Sequence, residues 1–238
     1  MTERTAIITG AGSGIGRAIA LGLTVLVDSI VLIGRDAAKL APVCEEIGKR
    51  GKSAVPLCAD LSSEPGLAAI RHYVEDRLEG LDALVHCAGA YRRGLVGDTG
   101  TEDMDWHYAV NLRAPCALTQ ISLPALRRSQ GQIVFVNSSA GLSARPALAA
   151  YCASKSALKA FADALRAEEN ANGVRVLSVF PGRTATPLQE KIFGLESRIY
   201  DPGLLLQPDD IAQTVVSALS LPRSAEITEL MIRGMRKV

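Results

Sequence analysis

The chain has 238 residues, 48% apolar and 21% charged, with a formal net charge of +1, the balance of an ordinary globular protein with room for one large domain or two small ones. Its basic residues are scattered and their densest cluster, Arg233, Arg236 and Lys237, falls at the chain's end, so no polybasic stripe marks a nucleic-acid or anionic-membrane partner. Cys44, Cys58, Cys87, Cys116 and Cys152, with His72, His86 and His107, share no metal-ligand spacing, so no metal is expected and the cysteines read as reduced thiols. Met1–Arg4 carries no basic leader, and the longest apolar stretch, Ala18 to Ile33, is interrupted by Asp28 and Ser29. A cytoplasmic protein without a membrane span is expected.

In chain order, short apolar runs predict strands at Thr5–Thr9, Ile30–Gly34, Ser53–Cys58, Ala83–Cys87, Gln132–Asn137, Arg175–Phe180 and Ile227–Ile232. Most are nearly continuously apolar, as in strands covered on both faces. Apolar residues recurring at three and four predict helices at Ile15–Leu26, Lys39–Lys49, Glu64–Glu79, Asp103–Ser129 and Ala150–Asn170, with another from near Pro208. This alternation predicts an α/β fold: one Rossmann-type, doubly wound domain over residues 1–238, with about seven parallel strands and helices on both faces. The least regular stretch, Thr184–Leu206, is expected to be a substrate lid. Its apolar residues either cover a substrate or pack on their own protein.

Ligands of such sheets bind beyond the carboxyl ends of the strands. Directly after the first strand comes Thr9-Gly10-Ala11-Gly12-Ser13-Gly14-Ile15-Gly16. Glycines let backbone approach a ligand closely, and the N–H groups opening a helix favour a pyrophosphate. A tight strand-to-helix turn is the other reading of the same glycines. At the end of the second strand stand Gly34, Arg35 and Asp36. Arg35 suits the 2′-phosphate of NADP; alternatively it is solvated and Asp36 turns back to the ribose of NAD.

Tyr151 and Lys155 lie one helical turn apart after the fifth strand. An ammonium beside a phenol lowers its pKa from about 10, as acid–base work near neutrality requires, although such a pair is also a common surface accident. Ser138, at the fifth strand's end, can orient a substrate oxygen. Asn111 is either satisfied by neighbouring backbone or a relay linking Lys155 to water. The turn Tyr91-Arg92-Arg93-Gly94 either holds an acidic substrate group or is simply solvated.

Together Thr9-Gly10-x-x-x-Gly14-x-Gly16, Asp60-Leu61, Cys87-Ala88-Gly89, Asn111, Ser138, Tyr151-x-x-x-Lys155 and Pro181-Gly182 resemble the small, single-domain short-chain dehydrogenases/reductases, from about Thr5 through Ile232. The resemblance implies Tyr151 as catalytic acid/base, Lys155 lowering its pKa and holding the nicotinamide ribose, Ser138 positioning the substrate oxygen, and Asn111 supporting a water relay. It implies that Gly10, Ser13, Gly14, Ile15, Gly16, Arg35, Asp60, Leu61, Ala88, Gly89, Pro181, Gly182, Thr184 and Thr186 contact the cofactor, NADP with NAD as the alternative. It further implies a small alcohol or carbonyl substrate and a homodimer or homotetramer packed through the two longest helices. Three departures stand out. His86 replaces the family's Asn, the first helix lacks a glycine at its end, and the C-terminus lacks the glycine-rich ending of acyl-carrier-protein reductases. A catalytically silent NADP(H)-binding regulator is the competing reading, and an epimerase or dehydratase a third.

Overall fold

The computed structural model describes residues 3–236; Met1, Thr2, Lys237 and Val238, and what was expected of them, lie outside. Strands β1 (Thr5–Thr9), β2 (Ser29–Gly34), β3 (Ser53–Cys58), β4 (Ala83–His86), β5 (Gln132–Val136), β6 (Arg175–Pro181) and β7 (Glu229–Ile232) form one sheet in the order β3-β2-β1-β4-β5-β6-β7. Every pairing is parallel. Helices α1 (Gly14–Gly22), α2 (Ala37–Lys49), α3 (Glu64–Arg77), α4 (Thr101–Tyr108), α5 (Ala114–Ser129), α6 (Ala149–Glu169), α7 (Pro187–Leu195) and α8 (Pro208–Leu219) make the crossovers and the lid region. The doubly wound, seven-stranded fold expected from the alternation is the one observed.

Period-two alternation sorts the strand side chains between two cores. Ala6 and Ile8 of β1, with Ile30 and Leu32 of β2, face Ile19 of α1, Leu40 and Val43 of α2, and Ile211 and Val215 of α8. Ile7, Val31 and Ile33 face the opposite way, against Ile70 of α3, Leu118 and Leu126 of α5, and Leu158 and Leu165 of α6. Each such fully buried side chain contributes roughly 1.5–3 kcal/mol, so the sheet is anchored twice over and its carboxyl edge is a rigid platform. The edge strands β3 and β7 depart from the continuous burial expected of them; their residues are only partly covered.

Three expectations need correction. The Thr184–Leu206 stretch is not irregular, because it contains α7 and a short 3-10 turn at Pro202–Leu204. Thr186 caps α7 by accepting a hydrogen bond from the Gln189 N–H at 3.1 Å, Pro187 opens it, and Ile192 and Phe193 are buried beneath it. The Asp103–Ser129 segment is helical but not uniformly α: a π-turn at Ala109–Arg113 separates α4 from α5. Finally, α1 ends earlier than expected, at Gly22, and runs into a 3-10 turn at Leu23–Val25. No left-handed glycine follows the helix, and the Thr24 hydroxyl and the Arg50 guanidinium each donate to the Leu21 carbonyl at 2.7 Å instead. Among the described residues no helix is long and apolar enough to cross a membrane.

Candidate active site

The chain runs outward through β1, β2 and β3, then returns to lay β4 beside β1. That reversal opens a crevice at the carboxyl ends of β1 and β4. Thr9 fixes its floor: its buried hydroxyl accepts from the N–H groups of Cys87 at 3.0 Å and Ala88 at 3.1 Å. The Gly10–Gly16 loop therefore lies directly against Ala88, joining two of the cofactor segments expected from the sequence.

Two glycines in this loop are dictated by space. A Cβ on Gly16 would collide with the Gly10 carbonyl, so only glycine lets the helix start pack onto its own loop. Gly14 has φ of +51°, and a Cβ there would sit 3.0 Å from the Thr186 methyl. The phosphate loop and the N-terminus of α7 thus touch. The Ser13 side chain makes no capping hydrogen bond to α1, leaving the first-turn N–H groups without a side-chain acceptor; this is the donor set an anion requires.

At the end of β2 the two neighbouring charges separate in role. The Asp36 carboxylate caps α2 by accepting from the Ala38 N–H at 3.0 Å and lies 3.6 Å from Lys39. Exposed Arg35 has no side-chain hydrogen bond or ion pair among the described residues. Asp60 accepts from the Ser62 N–H at 2.9 Å and the Ser62 hydroxyl at 2.7 Å, and these bonds hold its carboxyl below the usual range. Leu61 is half-buried beside it.

The expected catalytic side chains converge at the end of β5. Ser138 accepts from the Ala140 N–H at 3.1 Å, which leaves its own hydroxyl proton free to donate. The neighbouring Ser139 hydroxyl is instead reached by Arg145 at 3.5 Å. Burial pushes the Tyr151 phenol up, and the Ser138 hydroxyl beside it lowers it again. Lys155, 4% exposed, donates to the Val136 carbonyl at 3.3 Å, and burial lowers its pKa to about 8. The Cys87 thiol nearby is pushed up to about 12 by burial, so it stays a thiol.

Asn111 lies in the π-turn with its side chain engaged. Its Oδ1 accepts from Ala90 N–H at 2.7 Å, and its Nδ2 donates to the Ala90 carbonyl and the Ser154 hydroxyl, both at 3.0 Å. The side chain is thus bonded to neighbouring backbone and to one hydroxyl. Gly89 sits between Asn111 and Lys155: a Cβ there would be 3.6 Å from Asn111 Oδ1 and 3.8 Å from Lys155 Nζ. Pro181 ends β6, and the Gly182 N–H donates to the Ile232 carbonyl at 2.7 Å. The hydroxyls of Thr184 and Thr186 are both used internally, the first donating to the Gly182 carbonyl at 3.1 Å and the second capping α7.

Several residues around this cluster were not singled out for it. Asn137 ties Ser138 to Lys155, accepting from the Ser138 N–H at 2.9 Å and donating to the Lys155 carbonyl at 3.0 Å. Its only sequence signal is adjacency to Ser138. Tyr91 packs edge-on to Tyr151 with centroids 5.1 Å apart, and His107 lies 6.0 Å from the same ring. His107 Nδ1 must donate to the Asp103 carbonyl at 2.7 Å, so Nε2 is the acceptor for the Arg92 N–H at 3.1 Å. His86 fills the end of β4, stacked on Phe135 at 4.7 Å and 2.9 Å from the Thr119 hydroxyl.

Known proteins share this fold. A family model described as short chain dehydrogenase matches residues 4–196. An uncharacterized short-chain type dehydrogenase/reductase of Sinorhizobium fredii is 33% identical over 232 residues, 95% of this chain and 90% of that protein. Among solved structures, an actinorhodin polyketide ketoreductase with NADPH superposes with a TM-score of 0.88 at 26% identity, covering 98% of this chain and 96% of that one. A 7α-hydroxysteroid dehydrogenase complexed with NADH and 7-oxo glycochenodeoxycholic acid gives 0.87 at 25% identity, covering 98% and 93%.

Proposed function

Because the chain belongs to the short-chain dehydrogenase/reductase family of oxidoreductases, we propose that it interconverts an alcohol and a carbonyl on a small molecule using NADP(H), with NAD(H) as the alternative. The observation that carries this is the meeting of Ser138, Tyr151 and Lys155 at the strand ends beside an uncapped glycine loop. The cofactor supplies or accepts the hydride when bound.

Gly10, Ser13, Gly14, Ile15 and Gly16 would hold its pyrophosphate, with Ala88, Gly89, Pro181 and Gly182 along its length. Asp60 and Leu61 would meet the adenine. Arg35 is the cation without a partner at the adenosine end, whereas Asp36 is committed to α2; this favours a 2′-phosphate. Arrangements of the same family bind NADPH in the ketoreductase and NADH in the hydroxysteroid dehydrogenase. The Thr184 hydroxyl donates to Gly182, whereas Thr186 only accepts and keeps its proton to donate, so Thr186 and the backbone there would meet the carboxamide end.

In the reductive direction Ser138 donates its free hydroxyl proton in a hydrogen bond to the carbonyl oxygen, and Tyr151 delivers the proton that completes the alcohol. Burial suits this, since a raised phenol is protonated and ready at neutral pH. Lys155 then faces the phenolate left behind, and its cation stabilises that charge in a low-dielectric site. Asn111 holds Ala90 and Ser154 through its side-chain amide and would support the water relay from that position. Residues 184–206 would cover the substrate, the enzyme would be a single cytoplasmic domain, and the α4–α5 and α6 helices would pair it into a homodimer or homotetramer.

A panel of aldehydes and ketones with NADPH or NADH, followed by loss of nicotinamide absorbance, tests this. Tyr151→Phe should lower kcat by at least about a hundredfold while leaving NADPH binding intact. Tight NADP binding without turnover of any substrate would instead favour the silent regulator. In the same assay Arg35→Ala should raise the KM for NADPH much more than that for NADH.

A further inference from the structure

Between Tyr91 and Gly94 the backbone is pinned at both ends. The Arg92 N–H donates to His107 and the Gly94 N–H donates to the Ala147 carbonyl at 2.9 Å. Ala147 is held at φ of +61°, in the left-handed region. The Arg92 side chain is spent, ion-paired with Asp103 and laid over the Trp106 ring at 4.6 Å. Arg93, fixed between these anchors, has no side-chain hydrogen bond or ion pair among the described residues. It lines a pocket of about 150 Å³ together with Val96, Asp103, Met104, His107 and Leu148, and the ring of His107 lies 6.0 Å from that of Tyr151. A cavity of about that volume accommodates a benzene ring.

A second arginine approaches from the lid. Arg183 follows Pro181-Gly182, and its Nη2 donates to the Glu196 carboxylate at 2.8 and 3.1 Å. The guanidinium lies over the Phe193 ring at 4.9 Å. Its Nη1 is buried and has no hydrogen-bond partner among the described residues. Leaving a buried charged donor unpaired costs about 1–3 kcal/mol or more, and a purely structural anchor for α7 would not need that second nitrogen. Glu196 is also shared with Arg198 at 3.5 Å, so one carboxylate faces two cations. Tyr91, whose ring packs edge-on to Tyr151, feels the charges on both sides: burial raises its phenol, Glu196 adds to that, and Arg93 and Arg183 oppose it.

From the free side chain of Arg93, the unpartnered Nη1 of Arg183 and the ring of Tyr91 against Tyr151, we infer that the substrate carries an anionic group, a carboxylate or a phosphate, received by these two arginines. The inference rests on the oxidoreductase reading above, and it names the chemistry that reading leaves open. An anion there takes the missing acceptor role at Nη1, balances the excess positive charge, and holds the reacting carbonyl toward Tyr151. The apolar pocket beside Arg93 takes the substrate's ring or chain.

The test uses purified protein with NADPH and three aldehydes of one shape: 4-carboxybenzaldehyde, 4-formylphenyl phosphate and neutral methyl 4-formylbenzoate. Each is reduced to its alcohol as NADPH becomes NADP. At least one anionic aldehyde should exceed the ester in kcat/KM by about tenfold or more, as expected for a charge-assisted pair. The two anionic arms separate carboxylate from phosphate. Arg93→Gln should shrink that charged-to-neutral ratio by about fivefold or more. Arg183→Lys, which keeps a cation beside Glu196 but removes the second nitrogen, should shrink it as well. Equal or better use of the ester, or an unchanged ratio in both variants, overturns the inference while leaving the oxidoreductase reading intact. If neither these aldehydes nor the wider panel turns over with either cofactor, that reading falls. Calorimetric binding of terephthalate to the protein–NADP complex then decides the anion site: binding weakened by about tenfold in Arg93→Gln upholds it, and equal or absent binding refutes it.

Discussion

Acidification should destabilise this protein through His86 before its carboxylates matter. The ring is buried at the end of β4, stacked on Phe135 and bonded to the Thr119 hydroxyl, and burial lowers its pKa from 6.5 to about 3. A group whose folded pKa is depressed stabilises fully above its unfolded value and loses that contribution as pH falls. Here the window runs from 6.5 down to about 3. Each pH unit inside it is worth about 1.4 kcal/mol, so about 2–3 kcal/mol is lost between neutrality and about pH 4.5. For a chain of this size that is about 5–10 °C in melting temperature. The comparison is His86→Asn, which removes the titrating ring. At neutral pH the variant should be less stable by about 1–3 kcal/mol, from the lost stacking and volume. Urea denaturation of both proteins across that range should show the gap narrowing by about 2 kcal/mol or more toward acid. A gap constant with pH would mean that His86 is not held neutral by burial.

Thr9→Val keeps the shape but strands the N–H groups of Cys87 and Ala88; we expect a loss of about 2–5 kcal/mol in denaturant titration, largely recovered by Thr9→Ser. Gly14→Ala imposes a side chain at φ of +51° against the Thr186 methyl. It should cost about 1–2 kcal/mol and weaken NADPH in a fluorescence titration, and an unaltered melting temperature and affinity would remove the steric argument.

Much of the sheet could be read directly, because strands such as Thr5–Thr9 and Ser53–Cys58 are apolar runs bounded by glycine or charge, and their observed ends match. The crossover helices followed from their periodicity. What escaped was local. Helix α7 is nine residues long, and only its capping Thr186 and Pro187 distinguish it from a loop. A π-turn adds a residue without altering the surrounding apolar period, so Ala109–Arg113 read as ordinary helix. Tyr151, Lys155 and Ser138 were found by spacing. Tyr91, His107 and Asn137 were not, since their roles arise from two loops and helix α4 meeting at the sheet's edge, a pairing no local window contains. The capping of α2 by Asp36 also had no signal separating it from the neighbouring Arg35.

The π-turn is a phase shifter between two helices. One residue of α-helix corresponds to a rotation of about 100° and a rise of about 1.5 Å, so removing a residue from Ala109–Arg113 and restoring regular helix would turn α4 by that angle relative to α5. Asn111 would swing away from Ala90, His107 would release the Arg92 backbone, and Tyr91 would lose its footing beside Tyr151. The extra residue costs one irregular turn of helix and sets the angular register in which two loops and a side chain meet the same phenol. Substitutions in α4 would be tolerated far better than any change in its length.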